Sequence, residues 1–448
     1  MKSRICAILC LLTMLGFVAL FVQGQWHLFP LKPLYGYIPV TEKPDFTIDN
    51  FASGNYQNCC EDYIRENFGF REFFIRTYNQ AAYTCFGTIT NENIKEGRNH
   101  ELYLNMYLDD ITGKTLKDHY STVEEAKADA QRNAQETLRL IKALSLHNIK
   151  FLYVFAPSKT LVYPENMPKN YRDSIFDFSL QEYYIELFKE NDIPHIDFLN
   201  YFRAIKDTVT YPLYPRAGSH WAESVIPFVA DSIYRKIEEI TDLKMPSVKV
   251  VDENITKHYS GPDSELEATM NLLFPLNRPA IPRPIFTLTD TLDADKPNLL
   301  VVSDSYFNQL RESPFVKAFN HWDNWLYNRD IYSSRERFNW NQLKREFDAV
   351  IVLQEADIVM AIFTAPMYYD FMFGFAQTGQ ELLEKGYFNE EEAFAIVEEM
   401  IISDSVWYSK VKEKAIEWEI SEEECLSRSV RYWLDLQKNK IKQPQIEQ

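Results

Sequence analysis

The sequence predicts an α/β protein built on a doubly wound, mainly parallel sheet, with an N-terminal membrane helix and a C-terminal helical appendage. Three observations predict it. Strand-like and helix-like stretches alternate from residue 120 onward. Two fully apolar runs, Leu299 to Val302 and Val350 to Leu353, have the length and β-branching of central parallel strands. A single uncharged apolar run, Ile5 to Val22, opens the chain. Strands and helices in series place any site at the carboxyl ends of the strands.

Taken in order, Lys2 and Arg4 precede the 18-residue apolar run, which spans roughly 27 Å as a helix, close to a hydrocarbon core. The two basic residues favour a cytoplasmic N-terminus, so that everything after Gln25 is translocated. Residues 1–25 therefore read as a signal anchor, with a cleaved signal peptide as the alternative. Residues 26–50, rich in proline and aromatics, read as a stalk. From Phe51 to Phe86, Tyr63, Phe70, Phe74 and Tyr78 recur at helical spacing, predicting one or two helices packed on the domain that follows.

The main domain is expected over 51–375. Thr122 to Glu125 is a capping-box pattern opening a helix that carries Leu138, Ile141 and Leu144. Phe151 to Phe155 is a strand, stopped by Ala156-Pro157. Phe176, Leu180, Tyr184, Leu187 and Phe188 mark a second helix, Pro194 to Asp197 a short strand, and Val225 to Ile237 a third helix. Seven prolines between 246 and 298 predict an irregular excursion. After about residue 375 the composition turns to Glu-rich amphipathic helices, and the chain closes with the polar tail Lys438 to Gln448.

Composition narrows the function. Hydrophobic residues make up 46% and charged residues 25%, which rules out a wholly disordered chain and a polytopic membrane protein. With 47 basic and 65 acidic residues the net charge is −18, which opposes binding to a phosphate backbone and makes nucleic acid an unsuitable partner. Aromatic residues at 15% suit large apolar cores and carbohydrate-facing surfaces alike. The six cysteines follow no zinc spacing, and no metal or diffusible cofactor is implied. A bridge from Cys85 to Cys59 or Cys60 and free buried thiols are the two readings of the cysteines that follow the apolar run.

Ser303-Asp304-Ser305 follows the apolar strand Leu299 to Val302, with a helix-compatible stretch behind it. A serine at such a turn can be presented to a cleft, and the helix start offers backbone N–H groups to a developing oxyanion. A serine needs a base. His220, in a loop-like segment just ahead of a helix and beside the apolar Trp221, is the candidate. His147 ends a helix, His195 lies within a strand, and His321 sits in an aromatic, surface-like stretch.

These segments resemble the SGNH-hydrolase-like, DHHW-type domain of the alginate O-acetyltransferase AlgJ/AlgX family. Ser303-Asp304-Ser305 is similar to the family's Gly-Asp-Ser-like nucleophile segment, and Gly218-Ser219-His220-Trp221 to its Asp-x-His-Trp segment. Phe155 to Lys159 with Tyr163-Pro164-Glu165, Glu66 to Arg71, and Ile193 to Asp197 match three further family segments in the right order. The resemblance implies a sheet of SGNH-hydrolase type, with Ser305 as the nucleophile and His220 as its general base. Lys159 would help to hold an anionic or carbonyl-bearing substrate. It also implies an extracytoplasmic domain, an exported polysaccharide as substrate and a multipass membrane O-acyltransferase as partner. Gly218 departs from the pattern, standing where the family has the aspartate that orients the histidine. In Ser-His-Asp enzymes a loss of that hydrogen bond costs roughly 10⁴ in rate. Either a carboxylate from elsewhere, with Glu223 one turn away as a candidate, or a backbone carbonyl substitutes, or the site works as a Ser-His dyad, or it is inactive. The expectation is an O-acetyltransferase-like protein. A carbohydrate esterase, or a non-catalytic polysaccharide-binding or assembly protein that has lost the triad aspartate, are the alternatives.

Overall fold

A computed structural model of the chain describes residues 2–36, 41–289, 296–335, 342–386 and 390–440. The end of the polar tail, 441–448, lies outside them. Two compact units are present. The smaller comprises Met1–Leu104, Arg216–Ser219 and Lys257–Pro279, and the larger Asn105–Pro215, His220–Thr256 and Ala280–Gln448.

The larger unit is organised by a six-stranded mixed sheet. Its strands are β1 (Lys150–Ala156), β2 (His195–Asp197), β3 (Leu299–Ser303), β4 (Trp322–Leu326), β5 (Asp330–Ser333) and β6 (Ile358–Thr364), in the order β2-β1-β6-β3-β4-β5. Every neighbouring pair is parallel except β4 with β5. The central strands β3 and β6 are buried along their whole length, which their unbroken apolar sequences require. Because β1, β6, β3 and β4 run the same way, the residues just past Ala156, Thr364, Ser303 and Leu326 share one edge of the sheet.

The helices pack apolar faces at the expected spacing. Helix Val123–Ser145 buries Ala126, Ala130, Ala134, Leu140 and Leu144. Its start keeps half of the capping box read from the sequence: Thr122 Oγ1 accepts from Glu125 N at 3.1 Å, while Glu125 Oε2 accepts from Ser121 N, one residue before the cap, at 2.8 Å. Helix Leu180–Glu190 brings Tyr184 onto Phe371, the rings stacked with centroids 4.5 Å apart, and Phe371 stacks in turn on Tyr153 of β1.

Three expectations are corrected. Val350 to Leu353 is not a strand but part of the helix Gln342–Glu355, and the strand begins later, at Ile358. Ala349, Val352 and Leu353 are buried while Ile351 is 40% exposed, the i, i+3, i+4 pattern of a helix. A four-residue apolar run fits either structure, and the preceding Gln342 to Glu346 extends it helically. Second, the proline-rich stretch 246–298 contains a regular antiparallel ribbon, Ser247–Thr256 with Ile281–Thr289, broken by a bulge between Val250 and Asp252. Third, of the two cysteine readings the bridge is not formed: the cysteines are free and Cys425 is buried, but Cys59 and Cys85 are exposed.

Beyond the sheet, helices Glu390–Ser403, Ser405–Glu417 and Glu422–Lys440 close on a core of their own that includes Val397, Ile401, Val411, Cys425 and Val430. In the smaller unit the apolar helix Lys2–Trp26 is exposed from residue 4 to residue 19, with Gln23 near its end buried, and its most apolar 18-residue window has a mean hydropathy of 2.9, apolar enough to cross a membrane. A Cβ on Gly69 would stand 2.2 Å from Leu20 O, so only glycine lets that loop meet the helix end. Helices Asn55–Asn67 and Arg71–Phe86 occupy the stretch read as helical, but Phe74 and Tyr78 are exposed rather than packed.

Candidate active site

Ser305 lies two residues past the carboxyl end of β3, where the chain turns toward the short helix Phe307–Arg311. The turn is held by Asp304, which is 1% exposed. Its Oδ1 accepts from Tyr306 N at 2.9 Å and its Oδ2 from Thr364 N at 2.7 Å, so one carboxylate ties the end of β3 to the end of β6. Burial pushes this carboxyl up to about 6, against the pull of those two N–H donors and of nearby His220. Asp304, for which the sequence suggested no duty, is thus the residue that fixes where Ser305 stands. Ser303, the other departure in the motif, is fully buried, and its Oγ accepts from Asn324 Nδ2 of β4 at 2.7 Å. A serine fits here because that hydroxyl finds a partner.

His220 meets Ser305 directly. Its Nε2 is 2.8 Å from Ser305 Oγ across 85 residues of sequence. Both residues are half-buried while Trp221, Asp304 and Tyr306 beside them are buried. The imidazole packs on the Tyr306 ring, centroids 4.8 Å apart, and Trp221 meets Tyr306 edge-on at 5.1 Å. Tyr306 is thus the ring that lies against the imidazole, and Trp221, expected in that place, stands behind it. Gln309, on the helix behind the serine, donates through Nε2 to Trp221 O and to Glu223 Oε1, each at 3.1 Å. It joins the serine's helix to the histidine's segment. That bond also occupies one carboxylate oxygen of Glu223, the suggested stand-in for the missing aspartate. Gly218 is buried and contributes no side chain.

Lys159 is not at the surface. It is 2% exposed, and its Nζ donates to Pro215 O at 2.7 Å. Tyr214 also bonds from its hydroxyl to Pro157 O. The turn after β1 is therefore clamped twice to the segment leading toward His220, and Lys159 acts as a strut there rather than as an exposed hand for substrate. Lys159→Met should keep the alkyl packing and leave the Pro215 carbonyl unpaired, costing about 1–3 kcal/mol in urea unfolding.

One further residue joins the site. Tyr327 follows β4, adopts φ 53°, and donates its backbone N–H to Ser303 O at 2.7 Å. Burial chiefly raises its phenol above the ordinary value, with Ser305 among the neighbours that pull it down, so it stays neutral and able to donate. Its ring is held edge-on by Phe373 at 5.2 Å. No sequence signal marked Tyr327, because neither β4 nor its pairing with β3 is apparent from Trp322 to Leu326, where Asp323 and Asn324 interrupt the apolar run.

Among the described residues no group of His, Cys, Asp and Glu is placed to hold a metal ion. What the arrangement can do is acid–base assisted acyl chemistry: a hydroxyl, an imidazole 2.8 Å away and a neutral phenol beside them.

Residues 116–278 match the family model of the SGNH hydrolase-like domain of the acetyltransferase AlgX, a stretch that includes Lys159, Gly218 and His220 and stops short of Ser305. No curated protein matches the chain. Among solved structures, Pseudomonas aeruginosa AlgX aligns at 14% identity and a TM-score of 0.40, over 63% of this chain and 65% of that one. The O-acetyltransferase domain of Pseudomonas putida AlgJ aligns at 13% identity and a TM-score of 0.35, over 64% and 86%. Bacillus cereus PatB1 with a sulfonyl adduct aligns at 11% identity and a TM-score of 0.38, over 56% and 93%. Over residues 116–278 the chain is thus similar to the SGNH hydrolase-like acetyltransferase domain of AlgX, and the family resemblance read from its motifs is borne out.

Proposed function

We propose that the protein is a membrane-anchored, extracytoplasmic O-acetyltransferase that modifies an exported polysaccharide through an acyl-enzyme on Ser305. The observation that carries this reading is the 2.8 Å contact between His220 Nε2 and Ser305 Oγ, the distance general-base catalysis needs. Ser305 Oγ attacks the acyl carbonyl as its proton passes to His220 Nε2. The tetrahedral intermediate collapses, the C–O bond to the donor breaks, and the departing group takes the proton from His220. A sugar hydroxyl, deprotonated in turn by His220, attacks the acyl-serine and frees Ser305 with its proton restored. The acetyl donor would be charged by a multipass membrane O-acyltransferase, with the apolar helix Lys2–Trp26 holding this chain in the same membrane. Water in place of the sugar would make the protein an esterase.

The reading is tested by incubating the full chain with an activated acetyl ester and locating acetyl by mass spectrometry. Acetyl on Ser305, transferred to an added oligosaccharide, is expected; absence of label on the wild type would reduce the protein to a binding or assembly role. Tyr327→Phe is expected to slow acylation by about 10–100-fold with little change in stability. A neutral donor beside Ser305 is lost, and side-chain donors that reach a developing oxyanion contribute up to about 10²–10³ in rate. Stopped-flow acylation kinetics check this, and an unchanged rate would leave Tyr327 as packing only.

A further inference from the structure

The smaller unit holds a cavity of about 660 Å³ that the acyl chemistry does not use. It is walled by the stretch after the apolar helix, by helix Arg71–Phe86 and by residues between 257 and 278. In a chain of net charge −18, four cations line it: Lys32, Arg76, Lys257 and Arg278. The carboxylate among the lining residues, Glu267, is already engaged. It accepts from Arg278 Nε at 2.6 Å and from Leu276 N at 2.7 Å. Arg76 spends its Nη groups on backbone carbonyls, Lys32 O at 3.2 Å and Pro33 O at 2.9 Å, which braces that wall while leaving its charge uncompensated by a carboxylate. Arg278 is buried, with Nη1 on His100 O, and its Nη2 is buried without any hydrogen-bond partner. A buried guanidinium N–H without an acceptor is uncommon, and an anionic oxygen is the group that would complete it.

The same unit carries the apolar helix Lys2–Trp26, and Lys32 follows its end by six residues, at most about 20 Å of extended chain. Trp26, Phe29, Phe73, Phe74 and Tyr78 are exposed on this unit, from 46% to 69%. Aromatic rings in such numbers are poorly placed in water and well placed at a lipid–water interface. We propose that the cavity binds the phosphate of an anionic phospholipid headgroup at the membrane surface, with Arg76, Lys32 and Lys257 supplying the charge. The inference rests on reading Lys2–Trp26 as a membrane anchor.

The test uses the full chain held in a nonionic amphipol and titrated calorimetrically with dihexanoyl phosphatidylglycerol, dihexanoyl phosphatidylcholine, glycerol phosphate and trigalacturonate. Saturable binding of the phosphatidylglycerol probe is expected, weakened by salt, at least about tenfold tighter than the phosphatidylcholine probe, and weakened about tenfold by the double variant Lys32→Gln, Lys257→Gln. Both lysines are exposed, so the variant should fold as the wild type does. Equal binding of the two lipids, or an unchanged double variant, overturns the proposal. Glycerol phosphate binding as tightly as the lipid would make this a site for soluble phosphate, and tighter trigalacturonate binding a site for acidic sugars; either result overturns the lipid assignment. Reconstitution into phosphatidylcholine vesicles followed by alkaline extraction tests the anchor separately, so a chain that extracts freely while still preferring phosphatidylglycerol refutes the anchor and leaves the cavity standing.

Discussion

Replacing Ser305 with alanine is expected to abolish acetyl labelling of the protein and to lower acetyl transfer on the order of 10³- to 10⁶-fold, with His220→Asn giving a loss of similar size. The two should not add. Once either member of a nucleophile–base pair is gone the other has nothing to act on, and the double variant should be no worse than the more damaged single one. Mass spectrometry of the activated-ester reaction gives the labelling, and acetate appearing on an oligosaccharide gives the transfer. Both residues are half-buried and their replacements are smaller or of similar size, so melting temperatures should move little. Undiminished labelling of the Ser305→Ala protein would sink the nucleophile assignment, whereas undiminished labelling of His220→Asn would sink only the base.

The parts of this site that were legible in the sequence are those announced by local pattern. A buried strand followed by Ser303-Asp304-Ser305 points at the serine, and a histidine just ahead of an amphipathic helix, with tryptophan beside it, points at the base. The structure brings both to one edge because β1, β3 and β6 are parallel neighbours. What stayed illegible depends on which strands pair. Asp304 is held by Thr364 N, 60 residues away, and β6 was misplaced because the four-residue run Val350 to Leu353 looked more like a strand than the helix it ends. Tyr327 and Asn324 depend on β4, whose sequence Trp322-Asp323-Asn324-Trp325-Leu326 puts two polar residues in a buried strand. Lys159 failed in the opposite sense. Lysine is so seldom fully buried that an exposed position was the natural expectation, and only the fold places the Pro215 carbonyl where its ammonium can bond.

The same polar strand carries the largest expected stability effect. Arg335→Met should destabilise the protein by about 3–5 kcal/mol, because it leaves a buried carboxylate without its counter-ion. Arg335 Nε donates to Asp323 Oδ2 at 3.1 Å, with side chains only 3% and 2% exposed, and Arg335 Nη1 donates to Glu355 Oε2 at 2.5 Å. Asp323 is already under strain of desolvation. Burial raises its carboxyl above the ordinary value despite the Ser333 and Arg335 bonds that hold it down, and its Oδ1 is buried with no partner. Removing the guanidinium therefore strips away stabilisation that nothing nearby replaces. The pair need not itself be strongly stabilising, since replacing both partners by apolar groups of similar volume is often neutral. The double variant Asp323→Leu, Arg335→Met should thus recover most of the loss, and urea titrations of the four proteins give the coupling directly. Asp323 lies next to Asn324, which holds Ser303, and four residues before Tyr327, so acylation by the single variant should fall along with its stability. A single variant within about 1 kcal/mol of wild type would mean that water reaches Asp323, and that β4 is held by its backbone pairing with β3 alone.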